Sequence, residues 1–252
     1  MNFITNPTMS LTVDECKRFE KQGWIGPFSL IDDNFINATL DEFHLRKSEF
    51  YWPNVKDEYA YDKSGKLLWF KSLHCHLSRV SEIVTHPKLI KMLTVLHGKR
   101  IMAWGATITT RHPGQAHRWH GDIEHYKWTG LSVFLGLRNA SSMACMKVIP
   151  GSQNWGVTPQ ELGELSEPEL LAKAQQFDPE ASIVQIPCDE GDYFIFSGRL
   201  WHASENTSQK TRTALIAQYS GTDEIVLIPP SYRTPICWDD MLRPECIIID
   251  EI

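Results

Sequence analysis

In the stretch RWHGDIEHY, residues 118–126, a histidine and an aspartate stand one residue apart, as His120 and Asp122. On an extended strand, side chains two apart leave the same face, so an imidazole and a carboxylate would meet at one spot. Such a pair can hold a metal ion, and it can equally form an ordinary hydrogen bond. A second imidazole comes from His202, 82 residues downstream, after the strand-like run DYFIFSG and a tight turn at Ser197 and Gly198. Two histidines and one carboxylate can occupy one face of an iron ion and leave the opposite positions open. The same donors also make open catalytic zinc sites. Arg212 lies ten residues beyond His202 in the run TRTALIAQYS. A buried guanidinium needs an anion, and its fork fits a carboxylate through two parallel hydrogen bonds. Taken alone, Arg212 reads as a salt bridge to an acidic residue. Taken with the metal donors it fits a dicarboxylic acid spanning metal and arginine, to which Ser204 could add a hydroxyl donor.

These side chains need a scaffold, and from about residue 100 the sequence supplies one. Short β-rich runs bounded by Gly, Pro, Asn and Asp follow one another: RIMAWGATITT, GLSVFLGL, CMKVIPGS, ASIVQIPC, DYFIFSG and TRTALIAQYS. With one exception no strong helix separates them, which favours an antiparallel sandwich or double-sheet jelly roll over a parallel α/β sheet. The exception, TPQELGELSEPELLAKAQQF, is acidic and helix-prone, and reads as a lid or a solvated surface helix. The first third is mixed. SLTVDECKRFEKQG carries a capping-box signature at Thr12 and Glu15, apolar residues at Val13, Cys16 and Phe19, and a stop at Gly23. THPKLIKMLTVLHG starts with a proline, places Leu89, Met92, Leu93 and Leu96 on one face and ends at Gly98. The expected organisation is one mainly β domain over residues 1–252. It has a helical support region at 1–99, a β core at 100–221 with a helical insertion at 158–178, and a proline-rich extended tail at 222–252.

A 252-residue chain that is 42% hydrophobic can build a sizeable core. The formal net charge is −6 and the basic residues are scattered. Neither the basic stripe of a nucleic-acid binder nor an anionic-membrane patch is visible, and a small soluble substrate fits better. No run approaches the ~20 apolar residues of a membrane span, and the N-terminus lacks a basic segment followed by an apolar stretch. The six cysteines include no Cys-x-x-Cys and read as reduced thiols of a cytoplasmic protein. The sequence leaves the oligomeric state open. Asn37, Asn139 and Asn206 match the glycosylation pattern without a secretion signal to support them.

Other residues compete for a role. His74 and His76 repeat the alternate spacing, as in cupin-like metal sites, but without a carboxylate partner. His112, His117 and His125 flank the motif and read as loop or pocket residues, with His125 a rival ligand should the segment after Asp122 turn helical. Trp69, Trp104, Trp119 and Trp128 are explained mostly by core packing. Thr107 and Thr109 fit a half-buried strand or an inward-facing pocket wall.

The combination WHGD, KVIPGSQNWG, GDYFIFSGRLWHASENTS and TRTALIAQY resembles the phytanoyl-CoA dioxygenase family of Fe(II)- and 2-oxoglutarate-dependent oxygenases, over roughly residues 85 to 220. The resemblance implies a double-stranded β-helix, a cupin-like jelly roll. It also implies His120, Asp122 and His202 as iron ligands, and Arg212 and Ser204 as the hold on the distal carboxylate of 2-oxoglutarate. Dioxygen would be the other co-substrate, and succinate and carbon dioxide the co-products. Halogenating relatives replace the carboxylate with a small residue, so Asp122 favours hydroxylation or a related oxidation. The sequence departs from the family at Gly121, where glutamine is common, at Met143 and Ala144, where Asn-Gly often stands, and at Phe134, near a frequent tryptophan. These positions border the pocket and leave the substrate open. A zinc enzyme and a catalytically silent binding module are the alternative readings of the same residues.

Overall fold

The structure is a computed structural model that describes residues 11–46, 73–123, 129–223 and 248–249. Its first part runs α1 (Val13–Gln22), β1 (Trp24–Ser29), α2 (Asp33–Arg46), α3 (Ser78–Val84) and α4 (Pro87–His97). Then come β2 (Ile101–Arg111), β3 (Ala116–His120), β4 (Gly130–Arg138) and β5 (Met146–Val148). After α5 (Glu167–Phe177) follow β6 (Val184–Ile186), β7 (Asp192–Ser197), β8 (His202–Glu205), β9 (Arg212–Gly221) and β10 (Ile248–Ile249).

The strands form two antiparallel sheets, the major one in the order β1-β7-β4-β9-β2-β10 and the minor one β3-β8-β5-β6. This is the mainly β architecture with supporting helices expected of a double-stranded β-helix. β2 and β4 are buried on nearly every residue and β9 on most, because both faces of the major sheet are covered. On one face Leu135, Leu215, Ala217 and Tyr219 join a core with Ile83, Val84, Leu89 and Leu93 of α3 and α4. On the other, Phe134, Phe194 and Phe196 meet Met146, Val148 and Ile186 of the minor sheet. Phe134 and Phe194 are register partners and stack at 5.2 Å.

The two helices read from the sequence form for the expected reasons. Thr12 and Glu15 make the capping box of α1, and Gly23 ends it at φ 81°. Phe19 is buried, whereas Val13, expected on the same face, is 70% exposed. α4 starts at Pro87 and stops at Gly98, with Leu89, Met92 and Leu93 buried and Leu96 packed at the edge. A cap contributes about 1 kcal/mol, and each fully buried large apolar side chain ~1.5–3 kcal/mol. Packing therefore outweighs capping in holding α4 to the sheet.

Two elements were not visible beforehand. WIGPFS looks like a turn, yet as β1 it pairs with β7 at the sheet edge, where a proline is tolerated because no outer strand needs its missing N–H. The region 1–99 is thus not purely helical. α2 buries Phe35, Ile36, Leu40 and Phe43, and Glu42 ties it to α3 by accepting the N–H groups of Ser78 and Arg79, both at 2.9 Å. Of the tail, Thr222, Asp223 and β10 are described, and β10 pairs with Ile101 and Met102 of β2.

The insertion is not a loosely attached helix. Leu170 and Ala174 of α5 are buried with Ile149 and Trp201. Phe177 stacks on Trp155 at 5.2 Å, and Trp155 meets Trp201 edge-on at 5.0 Å. α5 thereby packs behind β8, the strand that begins with His202. Among the described residues no helix is long and apolar enough to cross a membrane.

Candidate metal and anion site

His120 ends β3, His202 begins β8, and the two face each other as register partners. Their rings lie 4.0 Å apart between centroids. Each ring is oriented by its own strand. Nδ1 of His120 donates to the carbonyl of Arg118 at 2.8 Å, and Nδ1 of His202 to that of Leu200 at 2.8 Å. A carbonyl only accepts, so the proton sits on Nδ1 and the lone pair of each Nε2 is free to bind a metal.

Both Nε2 atoms aim at one carboxylate oxygen. Asp122 Oδ1 is 3.7 Å from Nε2 of His120 and 3.6 Å from Nε2 of His202. The three donor atoms lie within 4.8 Å of one another. Metal bonds of about 2.0–2.2 Å set neighbouring ligands ~3–3.5 Å apart, so a small inward movement would close this set on an ion. The other carboxylate oxygen of Asp122 accepts from Ser132 Oγ, and Gln218 also donates to Asp122. Gly105 stands opposite Gln218 in the register, where a Cβ would lie 3.0 Å from the Gln218 oxygen. The glycine leaves that side chain room.

Burial pushes the Asp122 carboxyl up, but His202, His120 and the hydrogen bonds from Ser132 and Gln218 together hold it below the usual carboxylate range. His120 is pushed down to about 3, first by burial and then by His202. At neutral pH the site therefore holds a neutral imidazole and a carboxylate, the protonation states that bind metal.

Arg212 is 3% exposed, and among the described residues no carboxylate pairs with it. Within those residues the salt-bridge reading finds no partner. Its guanidinium lies over the Phe134 ring at 5.4 Å, one terminal nitrogen reaches the carbonyl of Ala144 at 3.5 Å, and its Nε has no hydrogen-bond partner. Beside it on β2, as register partner, is a second buried arginine, Arg111. Its Nε is also without a partner. Burial, then the charge of Arg111, lowers the Arg212 guanidinium to about 9. Burying an unpaired ion costs several kcal/mol. Two such cations lie side by side with orphaned Nε–H groups, an arrangement that an anion would neutralise.

Ser204 follows His202 by two on β8, pairs with His117 and Met146, and is buried. His117 packs edge-on against His120 at 4.4 Å, and burial together with His120 and Arg111 holds it well below the usual range. His112 is bonded to Thr211 at 3.1 Å in the loop region. Thr107 and Thr109 are both buried. His74 and His76 do not act as a pair. His74 falls on the 3-10 turn Leu73–Cys75 and His76 in the turn just after it, neither on a strand, with His74 buried and His76 exposed. Trp119 donates its indole N–H to Glu167, and Trp104 is a buried core residue. Trp69, His125 and Trp128 lie outside the described residues.

Arg111 had escaped notice because it ends a strand next to a Pro-Gly turn, where a basic residue usually faces water. Ser132, Gln218 and Gln160, which hydrogen-bonds both backbone groups of Gly121, carry no motif. The alternation of β9 places Gln218 on the same face as Arg212 and was the one available signal.

The family profile described as phytanoyl-CoA dioxygenase matches residues 19–214. The chain belongs to the phytanoyl-CoA dioxygenase family. Iron and 2-oxoglutarate are the cofactors that go with this membership and with the donor set. Solved structures share the fold at low identity. The carbocyclase SnoK from nogalamycin biosynthesis, a non-heme α-ketoglutarate-dependent enzyme, is 18% identical, with a TM-score of 0.67 over 87% of this chain and 88% of its own. EctD from S. alaskensis is 18% identical, with a TM-score of 0.66 over 86% and 79%. The epimerase SnoN, in complex with Fe3+, α-ketoglutarate and nogalamycin RO, is 14% identical, with a TM-score of 0.64 over 82% of each chain. No curated protein matches the chain in sequence.

Proposed function

We propose that this phytanoyl-CoA dioxygenase family member is an Fe(II)- and 2-oxoglutarate-dependent oxygenase that hydroxylates, or otherwise oxidises, an unactivated C–H bond of a small metabolite. The observation that carries the reading is the pairing of three converging donor atoms with a buried arginine that has no carboxylate partner among the described residues. His120, Asp122 and His202 would hold the iron. Arg212, with Arg111 and Ser204 beside it, would hold the distal carboxylate of 2-oxoglutarate. When bound, iron and 2-oxoglutarate supply the oxidation, with dioxygen consumed and succinate and carbon dioxide released. The chain itself binds and orients. Main-chain carbonyls fix both imidazole tautomers, Ser132 holds one carboxylate oxygen of Asp122 while the other faces the histidines, Gln218 adds a further hydrogen bond to Asp122, and the arginines would fix the far end of the co-substrate. With Asp122 so held, its place on the metal is filled by carboxylate, which favours hydroxylation over halogenation. The fold neighbours that perform cyclisation and epimerisation show how many outcomes one architecture hosts, so fold does not choose among them.

The test is an anaerobic titration of metal-free protein with Fe(II) and then 2-oxoglutarate, followed by the weak visible charge-transfer band of the chelate. The band should form in the native protein and be absent in His202→Ala. Folded native protein that binds iron but shows no band would sink the oxygenase reading and move a zinc enzyme or a silent binding module forward.

A further inference from the structure

The pairing of β3 with β8 ends at His120 and His202. The next peptide, at Gly121, joins two of the three donor residues and is buried beyond the end of that ladder. Its polar groups are nevertheless satisfied. The Gly121 N–H donates to Oε1 of Gln160 at 3.0 Å, and its carbonyl accepts from Nε2 of the same side chain at 2.8 Å. A carboxamide carries one acceptor and a donor arranged as in a peptide group, so Gln160 stands in for the strand neighbour that β3 has lost.

Gln160 sits in the short turn Pro159–Leu162, whose entry is fixed by reciprocal bonds between Thr158 and Glu161. Three residues before Gln160, the carbonyl of Val157 accepts the indole N–H of Trp201 at 2.8 Å. Trp201 immediately precedes His202, and its ring is fully buried against the insertion. One short segment therefore grips the backbone between His120 and Asp122 at one point and the residue next to His202 at another.

Resting on the reading of these three residues as metal ligands, we infer that segment 157–162 is a clip that sets the separation of the two ligand-bearing strands, with Gln160 as a positioning residue for the metal. The insertion then serves the site from behind, as a brace, and not as a cover over it. Partners that orient metal ligands from outside typically change affinity by about 10–100-fold when removed.

Co(II) is a suitable probe, because its visible spectrum reports coordination geometry independently of turnover. The full chain would be titrated with Co(II) by calorimetry and absorbance, as native protein, Gln160→Met, Gln160→Glu and Trp201→Phe. Methionine keeps the length but loses both hydrogen bonds, glutamate keeps an acceptor for the Gly121 N–H, and phenylalanine removes the indole donor together with part of the buried ring. The Co(II) dissociation constant should rise about tenfold or more in Gln160→Met, with an altered visible spectrum, and by an intermediate factor in Gln160→Glu. The melting temperature of the metal-free protein should move by only a few degrees. Native affinity and spectrum in the variants, with only a lower melting temperature, would overturn the inference and leave the metal site standing. If Gln160→Met does not fold, Trp201→Phe carries the same comparison. Failure of the native protein to bind Co(II) would instead bring down the metal reading and this inference with it.

Discussion

Replacing Arg212 with methionine should improve the empty protein and damage the loaded one. In the fold this guanidinium is buried beside Arg111 with no carboxylate partner among the described residues, and its pKa is pushed down to about 9, first through burial and then through Arg111. A base whose folded pKa is depressed destabilises the fold wherever it is protonated in both states. The penalty is full below pH 9 and fades above it, and at pH 7 it is of the order of several kcal/mol. Exchanging a buried ion for an apolar side chain of similar length is commonly neutral or stabilising by ~1–4 kcal/mol. At about 2–4 °C per kcal/mol for a chain of this size, the melting temperature of metal-free Arg212→Met should stay level or rise by several degrees. Binding moves the other way. Each charge-assisted hydrogen bond to a carboxylate is worth ~1.5–3 kcal/mol, so losing a two-pronged contact should weaken 2-oxoglutarate by about 100-fold or more. Calorimetric melting with and without Mn(II) and a 2-oxoglutarate series reads both effects. The stabilisation that 2-oxoglutarate gives native protein should shrink sharply in the variant. A large fall in the melting temperature of the empty variant, together with native 2-oxoglutarate affinity, would refute the anion-site reasoning and make Arg212 a structural residue.

Ser132→Ala removes one of the hydrogen bonds that turn Asp122 toward the histidines. Metal affinity should fall about tenfold with little change in melting temperature, and calorimetry with Mn(II) showing native affinity would contradict it. His74 has both ring nitrogens buried without a hydrogen-bond partner, and burial, then His76, lowers it to about 4. Its neutral form belongs to the fold, so the stability it allows is full above about pH 6.5 and is lost as pH falls through 4, by roughly 3 kcal/mol in all. Urea melts between pH 7 and 4 should therefore show a shallower loss in His74→Phe than in native protein. Parallel profiles would show that His74 is not the group responsible.

How far the sequence reached depended on whether the determining contact was local. Alternation and bounding turns delivered β2, β4, β7 and β9 close to their observed ends, because a strand buried on both faces must be apolar almost throughout. The donor trio was readable because His120 and Asp122 sit two apart and His202 follows a strand and a turn. Arg111 was not readable, since its meaning comes from lying opposite Arg212, 101 residues away, and register across a sheet leaves no mark in either segment. Gln160 was hidden for the same reason in an acidic helix-prone stretch. β1 was obscured by its own glycine and proline, which an edge position tolerates and a local reading takes for a turn.

The hydrogen bonds from Nδ1 of His120 and His202 to carbonyls within their own segments have an evolutionary consequence. In many metal sites the tautomer of a ligating histidine is set by a carboxylate side chain, and losing that side chain disturbs the ligand. Here the orienting groups are main-chain atoms, which no substitution deletes. Side chains elsewhere around the site can therefore change without altering the tautomers that a metal would meet. A lineage built this way can exchange one substrate for another by small steps, each of which leaves the reactive centre in working order.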